Sequence, residues 1–117
     1  MRTQKRIFTI VFSMLFSLLV TNASSNPLHY ESITFKVNGN CEMCKKRIES
    51  VLKKNSAIKS ADWNVKTKMI KVEYDPHMLT VDEIHKMIVH EGHDTDKMKT
   101  SETVYKKLPG CCQYSRK

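Results

Sequence analysis

Four cysteines carry the chemistry this sequence can offer. Cys41 and Cys44 are separated by two residues, Glu42 and Met43, and Cys111 and Cys112 are adjacent near the C-terminal end. Two thiolates three positions apart on a loop can converge on one soft cation, a two-coordinate arrangement that suits Cu(I) or Hg(II). Tetrahedral Zn(II) needs two further ligands. By itself a Cys-x-x-Cys pair leaves metal binding, thiol–disulfide exchange and a structural bridge all open. An internal bridge between Cys111 and Cys112 would be strained, because neighbouring Cα atoms lie only ~3.8 Å apart, below the usual disulfide range. No other catalytic set emerges. There is no Ser/His/Asp arrangement, no Gly-rich phosphate loop and no carboxylate pair in an apolar setting, so the expectation is a protein that is not an enzyme.

The chain has 117 residues, with 20 Lys+Arg against 12 Asp+Glu and a net charge of +8, a size that allows one domain. Residues 1–23 stand apart. Arg2, Lys5 and Arg6 precede an uncharged run from Ile7 to Val20, and Thr21, Asn22 and Ala23 follow with a small residue for cleavage. A helix over that run would be roughly 21 Å long, short of the ~30 Å hydrocarbon core of a bilayer. It reads as a secretory signal peptide, the alternative being a short anchor that stays attached. Export makes disulfides chemically accessible. The remaining chain stays basic but shows no nucleic-acid-binding motif, so the charge is read as solubility or as a docking face for an acidic partner.

The elements that must position the cysteines follow from periodicity. Residues 24–32 are a polar linker. Ile33, Phe35 and Val37 alternate as a half-buried strand, and Asn38-Gly39-Asn40 signals a turn. From Cys44 the apolar positions Ile48, Val51 and Leu52 mark one face of a helix running to about Lys54, with Cys44 on the buried stripe. Ala61, Trp63 and Val65 alternate, Lys66-Thr67-Lys68 turns, and Ile70, Val72 and Tyr74 alternate again: a hairpin, stopped at Asp75-Pro76. Thr80 and Glu83 form a capping box for a second helix with Val81, Ile84, Met87 and Ile88 on its apolar face and Gly92 as its stop. Asp94–Lys99, with Met98 its one sizeable apolar residue, is placed as a last strand by the order of the others. The result is an α+β, ferredoxin-like βαββαβ sandwich of four antiparallel strands with two helices on one face. Residues 33–99 make this domain, and 100–117 a C-terminal extension in which Thr100-Ser101 caps a short helix through Val104, Tyr105 and Leu108.

Cys41 and Cys44 thus fall where a strand hands over to a helix. Unpaired backbone N–H groups and the positive end of the helix dipole there favour thiolates. The string from Val37 through Cys41, Cys44 and Ile48 to Glu49, followed by the hairpin and the helix ending at Gly92-His93, resembles the heavy-metal-associated domain family. That family includes soluble copper chaperones, modules of copper-pumping ATPases and the periplasmic mercury-binding protein. The resemblance spans about residues 33–99. It implies that Cys41 and Cys44 hold a metal briefly and pass it by thiol exchange to a metal transporter or an acceptor metal-binding protein; copper(I) is the first expectation for that metal and mercury(II) the second. A monomer is expected, and the signal-peptide reading of residues 1–23 places it outside the cytoplasm, in the periplasm if the source is a Gram-negative bacterium. Gly39 stands where family members carry a Met tucked beneath the loop, which predicts a looser loop. His93 lies where members place an aromatic residue or Lys beside the metal.

Against the metal reading stands a thiol–disulfide exchange protein using the same pair, but no aromatic residue immediately precedes Cys41 as a thioredoxin-like site would have it. Met43, between the cysteines, points outward toward metal or partner. His85 and His90 are expected on the solvated face of the second helix, and Met69 and Met87 in the core. Lys45, Lys46 and Arg47 form an exposed basic start to the first helix, suited to an anionic thiolate site or an acidic partner. The last strand would end at the pole opposite the cysteine loop. A return of Cys111 and Cys112 must therefore cover the length of a six-residue strand, about 20 Å. Residues 100–110 span roughly 16 Å as a helix and about twice that extended. Return is feasible if they are partly extended. Four sulfurs would then suit zinc(II), cadmium(II) or a multi-copper cluster. Otherwise the tail cysteines bridge to Cys41 or Cys44 when oxidised, or lie on a loose chain end.

Overall fold

A computed structural model describes residues 27–117. The signal peptide expected over 1–23 lies outside the described residues. Strand β1 (Glu31–Lys36) leads through a short loop into helix α1 (Glu42–Lys53); β2 (Ile58–Trp63) and β3 (Met69–Tyr74) follow, then helix α2 (Val81–Glu91), the short helix α3 (Glu102–Lys106) and a 3-10 turn at Gly110–Cys112. The sheet is antiparallel in the order β1-β3-β2. Phe35 pairs with Ile70 and Trp63 with the same residue from the other side, while Ile33 and Ala61 flank Val72. This register places the alternating apolar residues of all three strands on one face. The register shifts between Ile58 and Ser60. That irregularity lets Ile58 and Ala61, three apart, both point into the core. Helix α1 packs on β2 and on α2, and Ile48, Leu52, Ile84 and Ile88 close the core over Val72 and Ile70.

The fourth strand does not form among the described residues. Asp94–Lys99 does approach β1: Val37 and Thr95 make a single antiparallel bridge, Asn38 N–H donates to Asp94 C=O (2.8 Å) and Asp96 N–H to Lys36 C=O (3.1 Å). The pairing stops there because Thr95 turns the chain on itself. Its hydroxyl accepts from the N–H groups of Lys97 (3.2 Å) and Met98 (3.0 Å), and its own N–H goes to Met98 C=O (2.9 Å). Donors that a ladder would need are consumed locally, the usual way a Thr competes with secondary structure.

Helix ends follow the sequence signals. The Thr80 hydroxyl accepts from Glu83 N–H and the Glu83 carboxylate accepts from Thr80 N–H, completing the capping box. Gly92 takes φ 109° as α2 ends, a left-handed conformation that suits glycine. Its bare Cα also lets Leu108 pack flush against it; a Cβ there would sit 2.8 Å from a Leu108 methyl. Ser101 caps α3. The extension thereby folds down onto the domain beside the loop that carries Cys41.

Candidate metal centre

The loop between β1 and α1 is held from three sides. Asn38 N–H bonds Asp94 C=O, and the Asn38 carbonyl accepts from His93 Nδ1 at 2.8 Å. A carbonyl only accepts, so His93 carries its proton on Nδ1; Nε2 is buried without a partner among the described residues. Burial holds His93 neutral by pushing its pKa down. The third side is Trp63. Its ring is fully buried, its indole N–H reaches Val37 C=O (3.0 Å) and Lys68 C=O (3.2 Å), and its edge lies directly under Gly39. A Cβ at Gly39 would meet two ring carbons at 3.0 Å and the Cys44 Cβ at 3.2 Å. The loop is therefore not the looser one expected from Gly39. Trp63 fills the space beneath it, and only a residue without a side chain fits above the ring.

Cys41 is the N-cap residue of α1, extended at φ −142°, with no side-chain cap bond to the helix. Its sulfur stands at the positive end of α1, where the first-turn N–H groups have no intrahelical partner. The Cys41 pKa is lowered from 9.0 to about 7, chiefly by the nearby Cys44 amide, against an upward push from burial, with smaller lowering by the Cys44 and Cys111 side chains and the Met43 amide. Cys44 is fully buried, and its sulfur accepts the Asn40 N–H at 3.3 Å. The two sulfurs lie 3.4 Å apart. All four cysteines are free thiols.

The tail returns to this loop. The Cys112 sulfur lies 4.0 Å from those of both Cys41 and Cys111, and the Cys41 thiol points at the Cys111 carbonyl at 3.4 Å. The sulfurs of Cys41, Cys111 and Cys112 all fall within 4.8 Å of one another. Cys112 is fully buried, which raises its pKa, whereas Cys111 is exposed and meets the Met43 thioether at 3.6 Å. Met43 itself is 48 % exposed, at the mouth of the site. His93 stays beneath the loop, stacked on Tyr114 with ring centres 5.6 Å apart. It positions the backbone of the loop and is not part of the sulfur group.

Residues 34–94 match the sequence profile of the heavy-metal-associated domain. The chain belongs to the heavy-metal-associated domain family. The copper chaperone CopZ of Staphylococcus epidermidis is 33 % identical over 60 residues, which is 50 % of this chain and 88 % of that protein. The cation-transporting ATPase HMA5 of Oryza sativa subsp. japonica is 33 % identical over 72 residues, 61 % of this chain; the chain spans only 7 % of that ATPase's length. A solved structure of a CopZ metallochaperone superposes with a TM-score of 0.54 at 29 % identity, over 56 % of this chain and 98 % of that one.

Several side chains of this heavy-metal-associated domain sit differently from their sequence expectation. His85 is buried rather than solvated. It stacks on Phe35 with ring centres 4.0 Å apart, and its Nδ1 bonds the Thr95 hydroxyl at 2.6 Å, whereas His90 is exposed as expected. Met69 is exposed and not core, since it occupies the outward position of β3; Met87 does pack against the core. Lys45 and Arg47 are not free surface charge. Lys45 bonds Asp62, Trp63 C=O (each 2.7 Å) and Glu49 (3.0 Å), and Arg47 pairs with Glu91 at 3.0 Å. Lys46 alone of the three is exposed. The sequence reading missed Trp63 and Asp94 as supports of the loop. Only the unusual Gly39 hinted that something bulky approaches from below.

Proposed function

We propose that this protein binds a soft metal ion, Cu(I) before Hg(II), through Cys41 and Cys44 and delivers it to a metal transporter or acceptor protein. The observation that carries this reading is the Cys41 sulfur, set at the positive end of α1, drawn toward thiolate near neutral pH and 3.4 Å from the Cys44 sulfur. A soft ion favours thiolate ligands, and Cu(I) and Hg(II) accept low coordination numbers. The copper-chaperone relative supports copper as the cargo. Transfer proceeds by ligand exchange: a partner thiol bonds the metal as one Cys–metal bond breaks, and the proton released by the incoming thiol ends on the departing sulfur. Residues 1–23, with their basic start and short apolar run, support delivery outside the cytoplasm. The protein would work there as a monomeric carrier and not as an enzyme.

Titration of the reduced protein with Cu(I) against a chromophoric chelator tests this directly. One tightly held equivalent is expected, lost in the Cys41→Ser/Cys44→Ser double variant. Catalytic reduction of insulin disulfides by the metal-free protein would instead favour the thiol–disulfide exchange reading. Metal content of the protein purified from its native compartment decides between copper and mercury.

A further inference from the structure

The extension carries a second pair of sulfurs to the first, and the spacing between them discriminates coordination number. With metal–thiolate bonds of roughly 2.3 Å, sulfurs stand about 4.6 Å apart across a linear site, about 4.0 Å in a trigonal one and about 3.8 Å in a tetrahedral one. The distances here are 3.4 Å for Cys41–Cys44, 4.0 Å for Cys41–Cys112 and 4.0 Å for Cys111–Cys112. The two 4.0 Å separations match the edge of a three-sulfur site, and all three distances fall well short of the linear span. The sulfurs of Cys41, Cys111 and Cys112 lie within 4.8 Å of one another, with Cys44 beside Cys41.

Nor is the tail a loose end that happens to lie nearby. Cys112 N–H closes the 3-10 turn onto Pro109 C=O at 2.8 Å. Immediately after it, the Tyr114 hydroxyl accepts from Asp94 N–H (2.8 Å) and donates to Gly92 C=O (2.9 Å), and the Tyr105 hydroxyl donates to Tyr114 C=O. Arg116 grips Asp94 through Nε (3.0 Å) and Nη2 (3.2 Å), and Thr100 C=O through Nη2 (2.7 Å). Leu108 on one side of the turn and Tyr114 on the other are both buried. The turn bearing Cys111 and Cys112 is thus pinned at both ends over the N-terminus of α1.

We propose that Cys111 and Cys112 are ligands of the same ion as Cys41 and Cys44, so that the chain closes its own metal site with three or more thiolates. This rests on the metal-binding reading above and adds to it the coordination and its consequence. Cys112, buried between the loop and the tail, is the third ligand, and Cys111, exposed beside Met43, is the outer one. The cargo is then a d10 ion that accepts three or four sulfurs, as trigonal Cu(I) and tetrahedral Zn(II) or Cd(II) do. A partner must displace the tail sulfurs before it can take the metal, so the extension acts as an attached cap that retains the ion until an acceptor thiol arrives.

The test compares the wild-type protein with Cys111→Ser, Cys112→Ala and Cys41→Ser/Cys44→Ser. Two probes are used: Cu(I) competed against a chelator, and Cd(II) followed by 113Cd NMR, whose resonance moves upfield as sulfur ligands are lost. Expected is at least a tenfold loss of Cu(I) affinity and an upfield shift in Cys112→Ala. A smaller change in the same direction is expected in Cys111→Ser, an exposed position where folding is not at stake. Unchanged affinity and resonance in both tail variants, with binding abolished in Cys41→Ser/Cys44→Ser, would overturn the cap while leaving the metal-binding reading intact. Full binding in Cys41→Ser/Cys44→Ser would overturn both.

Discussion

Gly39 and Trp63 form a matched pair across the loop that presents Cys41. Their fit is a matter of a few tenths of an ångström. A Cβ at position 39 would lie 3.0 Å from the indole edge and 3.2 Å from the Cys44 Cβ, and neither neighbour is free to yield. The indole is fixed by two carbonyls, and Cys44 is held in the first turn of α1. Gly39→Ala should therefore lift the loop and cost about 1–3 kcal/mol, the usual range for overpacking. Metal affinity should fall with it, because the Asn40 N–H that bonds the Cys44 sulfur moves too. Thermal unfolding together with Cu(I) competition checks this; an unchanged melting temperature and affinity would show that the loop rides free of Trp63. This pairing was hidden in the sequence for a physical reason. The cysteine ligands announce themselves by type and spacing, but a cavity filled by a residue 24 positions away has no local periodicity.

Among the elements, those with a strong apolar period or a cap were legible: three strands, both core helices, the Thr80–Glu83 box and the Gly92 stop. Asp94–Lys99 was not, since its fate is decided by one hydroxyl spending itself on neighbouring amides. The same hydroxyl explains why His85 is buried. Thr95 supplies the bond that satisfies its Nδ1, while Phe35 covers its ring. Burial lowers the His85 pKa, and lowers that of His93 as well, so in the folded state both resist protonation. The unfolded chain takes up those protons near pH 6.5. It then binds more protons than the native state, and stability falls as the pH drops below that value. Each histidine contributes a slope of at most about 1.4 kcal/mol per pH unit until its own folded pKa is reached. Denaturant unfolding from pH 7.5 to 5 should show this decline, and His85→Gln should make it shallower. A flat profile in the wild type, or the same slope in the variant, would mean that His85 charges in place without penalty.

At the scale of the whole molecule, the chain is a heavy-metal-associated domain whose extension is tied back across the cysteine loop, and one side chain bears much of that tie. Arg116 is 17 % exposed and bonds both oxygens of Asp94, which is itself buried, and it also reaches Glu102 at 2.8 Å. Asp94 in turn faces the loop through its backbone, receiving Asn38 N–H and donating to Tyr114, while its carboxylate accepts the Thr100 N–H at 2.8 Å. Removing the guanidinium leaves a buried carboxylate with that amide as its remaining partner. Loss of one member of a buried ion pair costs about 3–5 kcal/mol when nothing else compensates. With the Thr100 amide still in place, about 2–3 kcal/mol is expected for Arg116→Ala. The loss should not be uniform. Amides of residues 101–114 should exchange with solvent much faster, while those of β3, which has a partner strand on each side, keep their protection relative to global unfolding. Lys at position 116 should recover only part of the stability, because it cannot bond both carboxylate oxygens and the Thr100 carbonyl in one planar fork. Hydrogen exchange on the three proteins resolves the matter. If Arg116→Ala leaves the tail amides as protected as before, the clasp is held by Tyr114 and Leu108 alone, and the ion pair is incidental to it.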